Sequence, residues 1–233
     1  MNVHMILEQF RASGISVFRT GDMARLLGMS KGSASVYIHR MKRMGLIHGV
    51  ERGKFTITED PFIVASQIIV PSYISFSTAL YLHGRLDQVI DTIEMVTSRK
   101  REALLFSQMR IKFRRFPAGR VFGYRKHAKG NSFIMLGDLE KVAMDCLYKP
   151  RFVPISALHE ALVQGFDKTL LERYALLMKS EAVVRRAGFL LESLGEDTEL
   201  APSTGTTYML NPSLRRKGKY DKRWKLYVNE VFT

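Results

Sequence analysis

The 233-residue chain is poor in several things that define whole classes of protein. It has one cysteine, so no intramolecular disulfide can form and a small cysteine-stapled scaffold is excluded. No apolar run approaches the roughly 18 residues of a membrane-spanning helix. The start, MNVHMILEQF, lacks a basic stretch followed by a long apolar one. A soluble, cytoplasmic chain without a membrane partner is therefore expected. Acidic residues are scarce: 22 Asp plus Glu stand against 36 Lys plus Arg, a formal net charge of +14. An excess of that size points to a polyanion, most often nucleic acid. Disorder is excluded in turn, because 46% apolar and 10% aromatic residues suffice for a packed core.

Catalytic signatures are missing as well. There is no Gly-rich phosphate loop, no G-x-S-x-G and no His or Cys pair at metal-ligand spacing, and the six histidines are scattered. The nearest carboxylate pair is Asp91 with Glu94, but a nuclease that follows its Glu with x-Lys would need Lys where Val96 stands. Cys146 lies in the apolar-periodic run Leu139, Val142, Ala143, Cys146, Leu147, the setting of a buried thiol. His83, on the apolar face of its helix, reads as a core histidine. The expectation is a protein that is not an enzyme, with no cofactor and no metal. An enzyme acting on nucleic acid would need Asp91, Glu94 and Asp145 to converge.

What is present is an uneven charge. Residues 1–61 carry +4, 62–127 carry +7, 128–200 carry −2 and 201–233 carry +5. The neutral stretch holds the clearest amphipathic helices and reads as a scaffold.

In the first segment, Val3, Ile6, Leu7 and Phe10 recur at helical spacing until Ser13-Gly14. Val17-Phe18-Arg19 is extended. Thr20 then caps a second helix with Met23, Leu26 and Leu27 on its apolar face. Gly28 closes that helix and Ser30 caps the next, so two short helices are joined by a tight turn. The third helix, 31–44, has Ala34, Ile38 and Met41 on one face. On the other stand Lys31, Gly32, Ser33, Ser35, Val36, His39, Arg40 and Arg43. Small groups at the start let a helix enter a major groove about 12 Å wide, and arginines further along reach base edges or phosphates. Lys31 and the first-turn amides suit a phosphate. After Gly45, Leu46–Val50 and Phe55–Thr58 flank Glu51-Arg52-Gly53-Lys54, a β-hairpin with a basic tip. The order predicts a winged helix-turn-helix over 1–61, with Arg52 and Lys54 on the wing.

Asp60-Pro61 interrupts helix and strand alike and marks the expected boundary of a larger domain, 62–233. There a helix is predicted over 76–83 and strands over 92–97, 111–114, 120–127 and 133–136, followed by helices after Asp138, near Ile155, after Asp167 and after Ser180. Short strands at 207–210 and 224–228 flank a basic run. The fold class is thus α+β, with a mainly antiparallel or mixed sheet and a helical layer. Its cations Arg99, Lys100, Arg101, Lys112, Arg114, Arg125, Lys126, Arg215, Arg216 and Lys217 fit either a solvated surface or contacts to a polyanion.

Beyond these patterns, the order of local motifs resembles the AbiEi antitoxins of abortive-infection toxin–antitoxin systems. The resemblance covers most of the chain. After the winged-helix pattern it rests on Pro71-Ser72-Tyr73-Ile74-Ser75, on Leu80-Tyr81-Leu82-His83-Gly84 and on Thr92-Ile93-Glu94-Met95-Val96-Thr97 with Arg99, Lys100 and Arg101. Gly137-Asp138-Leu139-Glu140-Lys141 with Asp145 completes it. It implies a transcriptional autorepressor that binds an inverted-repeat operator in double-stranded DNA, cooperatively or as a dimer. The second domain would act as the antitoxin against a nucleotidyltransferase toxin, without a stable complex. A ligand-responsive winged-helix regulator with no toxin partner is the alternative.

Overall fold

The computed structural model describes residues 2–87 and 89–232, which form a mixed α+β structure. Two compact units are present. The first holds the chain up to Ile74 together with Asp91–Arg115 and Lys126–Met135; the second holds Ser75–Ile90, Phe116–Arg125 and the chain from Leu136 on. The boundary expected at Asp60-Pro61 falls within the first unit.

In the first unit, α1 (Val3–Ser13) buries Val3, Ile6, Leu7 and Phe10 at spacings of three and four, as the periodicity demands. Next, β1 (Val17–Arg19) leads directly into α2 (Thr20–Leu26). Thr20 is not the cap: it is the first helical residue, and Arg19 holds the N-cap position, its backbone N–H donating to Asp22 Oδ2 at 2.9 Å. Ser30 does cap α3 (Lys31–Arg43), its Oγ accepting from the Ser33 N–H at 3.0 Å. Strands β2 (His48–Glu51) and β3 (Lys54–Thr56) complete an antiparallel sheet of order β1-β3-β2, with Arg19 opposite Lys54. Phe10 and Phe18 meet in this core with ring centroids 4.2 Å apart.

Asp60-Pro61 does not interrupt structure; it starts a helix, α4 (Pro61–Gln67). The Asp60 carboxylate accepts from the Phe62 N–H at 2.8 Å, and Pro61 occupies a first-turn position where its missing N–H is no loss. The chain then supplies β4 (Ser72–Ile74), β5 (Thr92–Thr97), β6 (Leu104–Phe106), β7 (Met109–Arg115), β8 (Tyr124–Lys129) and β9 (Ser132–Gly137), in a sheet of order β6-β7-β5-β4-β9-β8. The sheet is mixed: β5 and β7 run parallel, while β4 with β5 and β6 with β7 are antiparallel. The strand expected over 120–127 begins only at Tyr124, because Ala118–Arg120 is a 3-10 turn. There Arg120 donates from Nε to the Met178 carbonyl and from a terminal nitrogen to Tyr148 Oη, both at 2.6 Å.

The second unit contains α5 (Phe76–Leu82), α6 (Leu139–Tyr148), α7 (Ile155–Val163), α8 (Lys168–Leu177) and α9 (Glu181–Ser193). A small sheet of order β10-β12-β11 is built from β10 (Tyr208–Met209), β11 (Lys219–Asp221) and β12 (Leu226–Val228). Asp167 caps α8 through the Leu170 N–H at 2.9 Å. Asp138 stands before α6 without capping it; its carboxylate takes Arg125 Nε at 2.7 Å and Tyr174 Oη at 3.0 Å instead. Trp224 is fully buried and donates from Nε1 to Glu192 at 2.6 Å, and Gly188 on α9 lies so close to the indole that a Cβ would collide with it. Cys146 is buried, as its apolar run predicts. Among the described residues no helix is long and apolar enough to cross a membrane.

At the centre of this unit Asp145 is fully buried. Its carboxylate accepts from Lys141 Nζ, one helical turn away, and from Ser75 Oγ at 2.7 Å. Lys141 also stands 4.9 Å from the Phe122 ring centroid. Burial pushes the Lys141 ammonium below its usual pKa, against the pull of Asp145. Removing one partner strands the other charge, so Asp145→Ala should cost about 3–5 kcal/mol in denaturant unfolding. Replacing both with apolar residues of similar volume, Lys141→Met with Asp145→Leu, should cost clearly less than the single change.

Candidate nucleic-acid interface

The geometry of α3 follows from its own periodicity. Ala34, Ile38 and Met41 are buried, which turns Lys31, Ser33, Ser35, Val36, His39, Arg40 and Arg43 to the outside; all seven are exposed. Val36 is 69% exposed, a large apolar side chain left in water in the middle of a polar face. With His39, Arg40, Arg43 and Met44 it lines a shallow depression. No acidic residue stands in the first turn of α3, and its last turn carries Arg40, Lys42 and Arg43.

The two hairpin cations differ. Arg52 is exposed at the β2–β3 tip, where Gly53 adopts φ +73°. Lys54 is held: its side chain is only 12% exposed, and Nζ lies 2.9 Å from Glu51 and donates to the Ile68 carbonyl at 2.8 Å. The same Glu51 receives Arg101 at 2.6 Å, and the Arg101 guanidinium stands 4.9 Å from the Phe113 ring centroid. Glu51 therefore ties the hairpin to the segment after β5, a link that no local pattern announces.

No protein-family model and no curated protein matches the chain.

The remaining basic residues divide according to whether a carboxylate faces them. Arg114 donates to Glu94 at 2.7 Å, and Arg125 to Asp138 at 2.7 Å. Arg114 and Arg125 are thus locally neutralised, while Arg101 shares the single charge of Glu51 with Lys54. Arg99 and Lys100 are exposed after β5, and Lys112 is half-buried on β7. Lys126 is exposed with Nζ 4.3 Å from the Phe133 ring centroid. Arg215, Arg216 and Lys217 are exposed between β10 and β11, and Arg216 stacks over Tyr227 at 4.1 Å. Arg19 and Glu51 carry no local sequence signal of a role, because their importance comes from cross-strand and long-range pairing.

The three carboxylates that chemistry on nucleic acid would need are occupied differently. Asp91 is exposed, Glu94 carries Arg114, and Asp145 carries Lys141 and Ser75. Among the described residues no group of three or more His, Cys, Asp or Glu side chains is placed to hold a metal ion.

Burial pushes the Glu51 carboxyl up, but hydrogen bonds from Lys54 and Arg101 more than offset this and hold its pKa below the ordinary value. A depressed carboxylate pKa contributes stability above the ordinary carboxylate range and loses it as pH falls through the folded-state value. Arg101→Ala should therefore move the Glu51 titration midpoint upward, read by carboxyl-carbon NMR, and shift the acid-unfolding midpoint to higher pH.

Proposed function

We propose that the chain is a sequence-specific DNA-binding regulator in which residues 1–61 act as a winged helix-turn-helix, α3 being the recognition helix and the β2–β3 hairpin the wing. The observation that carries this is the outward face of α3: a continuous exposed set with small residues at its start, cations at its end and no carboxylate in its first turn. The turn through Gly28 and the Ser30 cap set α3 directly after α2, which supports the same reading. In this arrangement Arg40 and Arg43 contact base edges or phosphates, and Arg52 contacts the backbone or minor groove. The wing contribution falls to Arg52 rather than Lys54, whose ammonium is already bound by Glu51 and the Ile68 carbonyl.

The finer role follows the family resemblance: an autorepressor at an inverted-repeat operator that also serves, in the cytoplasm, as antitoxin to a nucleotidyltransferase toxin without forming a stable complex with it. The second reading, a ligand-responsive regulator with no toxin partner, is favoured by an open basic concavity beside β1 and β3.

Binding is measured by fluorescence anisotropy on the DNA upstream of the chain's own gene and on a scrambled duplex of equal length. Arg40→Ala should reduce discrimination between the two by about tenfold. Arg52→Ala should weaken both equally and lower the slope of log K against log salt by about 0.9. Unchanged discrimination in Arg40→Ala overturns the recognition-helix assignment. Co-expression with the product of an adjacent nucleotidyltransferase gene tests the antitoxin role: growth should be restored, and continued arrest removes that role while leaving DNA binding standing.

A further inference from the structure

Four cations distant in sequence converge within the first unit. Arg19, Lys54, Arg99 and Arg101 line one open concavity of about 530 Å³, together with Ile69 and Val70. Arg19 and Lys54 are cross-strand partners on β1 and β3, and Arg99 and Arg101 follow β5. Carboxylate compensation is incomplete. Glu51 serves both Lys54 and Arg101, and the lining carboxylate Asp22 is taken by the Arg19 backbone N–H and by Arg25 at 3.6 Å. The side chains of Lys54 and Arg101 are 12% and 15% exposed, so water screens this excess less than it would on an open surface. Arg19 and Arg99 are exposed and bring two more positive charges to the rim.

The wall is braced rather than loose. Gln67 spends its amide on the frame: Oε1 accepts from the Ser16 N–H at 2.7 Å, and Nε2 donates to the Gly14 carbonyl and Ser132 Oγ. Beside the cations stands an apolar stretch, with Val70 67% exposed. Clustered guanidinium groups call for a phosphate, which accepts their fork of donors, and the apolar wall calls for a ring or hydrocarbon portion attached to it. The volume is that of a small-molecule pocket. A duplex is convex and meets protruding side chains, whereas Lys54 and Arg101 lie inside the hollow and only Arg19 and Arg99 reach its rim.

We propose that this concavity is a binding site for a phosphate-bearing small molecule of mononucleotide size, with Arg19 and Arg99 gripping the phosphate and Ile69 and Val70 packing against its apolar part. The site stands independently of the DNA-binding reading.

Isothermal titration of the full chain at low salt with AMP and with inorganic phosphate tests it. AMP should bind saturably and about tenfold more tightly than inorganic phosphate. Arg99→Ala and Arg19→Ala, both at exposed positions, should each weaken AMP by about tenfold, while Arg40→Ala on α3 leaves it unchanged. Absence of saturable AMP binding, equal affinity for AMP and phosphate, or indifference to both arginine substitutions would each overturn the site. If AMP is silent and Arg99→Ala instead weakens a short duplex, these cations belong to DNA contact and the proposal fails. Loss of AMP binding says nothing about discrimination at Arg40, so the two readings fail separately.

Discussion

A carboxylate with no access to water must find its solvation inside the protein, and Asp145 on α6 finds it in Lys141 and Ser75. Each partner comes at a structural condition. Lys141 lies one turn earlier on the same helix, so α6 must be intact through that turn. Ser75 ends the segment that follows β4, so α5 must begin where it does, with Phe76 held at φ +55° against ordinary preference. The Phe116 and Phe122 ring centroids stand 5.6 and 4.9 Å from the ammonium. An uncompensated charge here would cost several kcal/mol, and that cost makes the geometry of this unit close to all-or-none.

The same contact joins two of the sequence motifs, Pro71–Ser75 and Gly137–Asp145. Ser75 closes one motif and Lys141 with Asp145 forms another; they touch. His83 of the helix motif meets the Gly137 carbonyl, at the start of the motif that holds Lys141, at 2.8 Å. Thr97 of the strand motif donates from Oγ1 to the Pro71 carbonyl at 2.7 Å, while Tyr73 and Val96 are cross-strand partners. These residues secure helix starts, strand pairing and a buried ion pair. They speak to fold, and a function must be argued from exposed groups that the fold leaves unspent.

Elements governed by local chemistry were legible in the sequence: α1, α3, α8 and the β2–β3 hairpin followed from apolar period, caps and a Gly-containing turn. Where sequence and structure part, a cue with two meanings was at work. Asp60-Pro61 reads as a breaker, yet Asp at the cap and Pro in the first turn equally begin a helix. Asp138 has the position of a cap, but Arg125 and Tyr174 outcompete the helix amides for its oxygens. The short strands β6 and β11 are too brief for an alternating pattern, and β11 lies within a run of cations. For the candidate interface, the outward face of α3 was readable because burial of its other face dictates it. The pairing of Arg101, Arg114 and Arg125 was not, since each depends on a carboxylate brought near by tertiary structure.

Net charge is for that reason a poor guide to where a polyanion would bind. The segment 62–127 carries the largest excess, +7, a figure that already includes the Arg114–Glu94 pair, yet Arg101 and Arg125 within it find further carboxylates, Glu51 and Asp138, outside it. The +4 segment leaves Lys31, Arg40, Arg43 and Arg52 exposed. Interaction strength follows the cations left without a local counter-charge rather than the total. Glu51 shows how the two kinds are connected. By holding both Lys54 and Arg101 it balances one of their two charges and, with the Lys54 contact to the Ile68 carbonyl, anchors the strand ends that flank the tip carrying Arg52. The ion pairs that diminish the basic surface thus orient the part of it that remains.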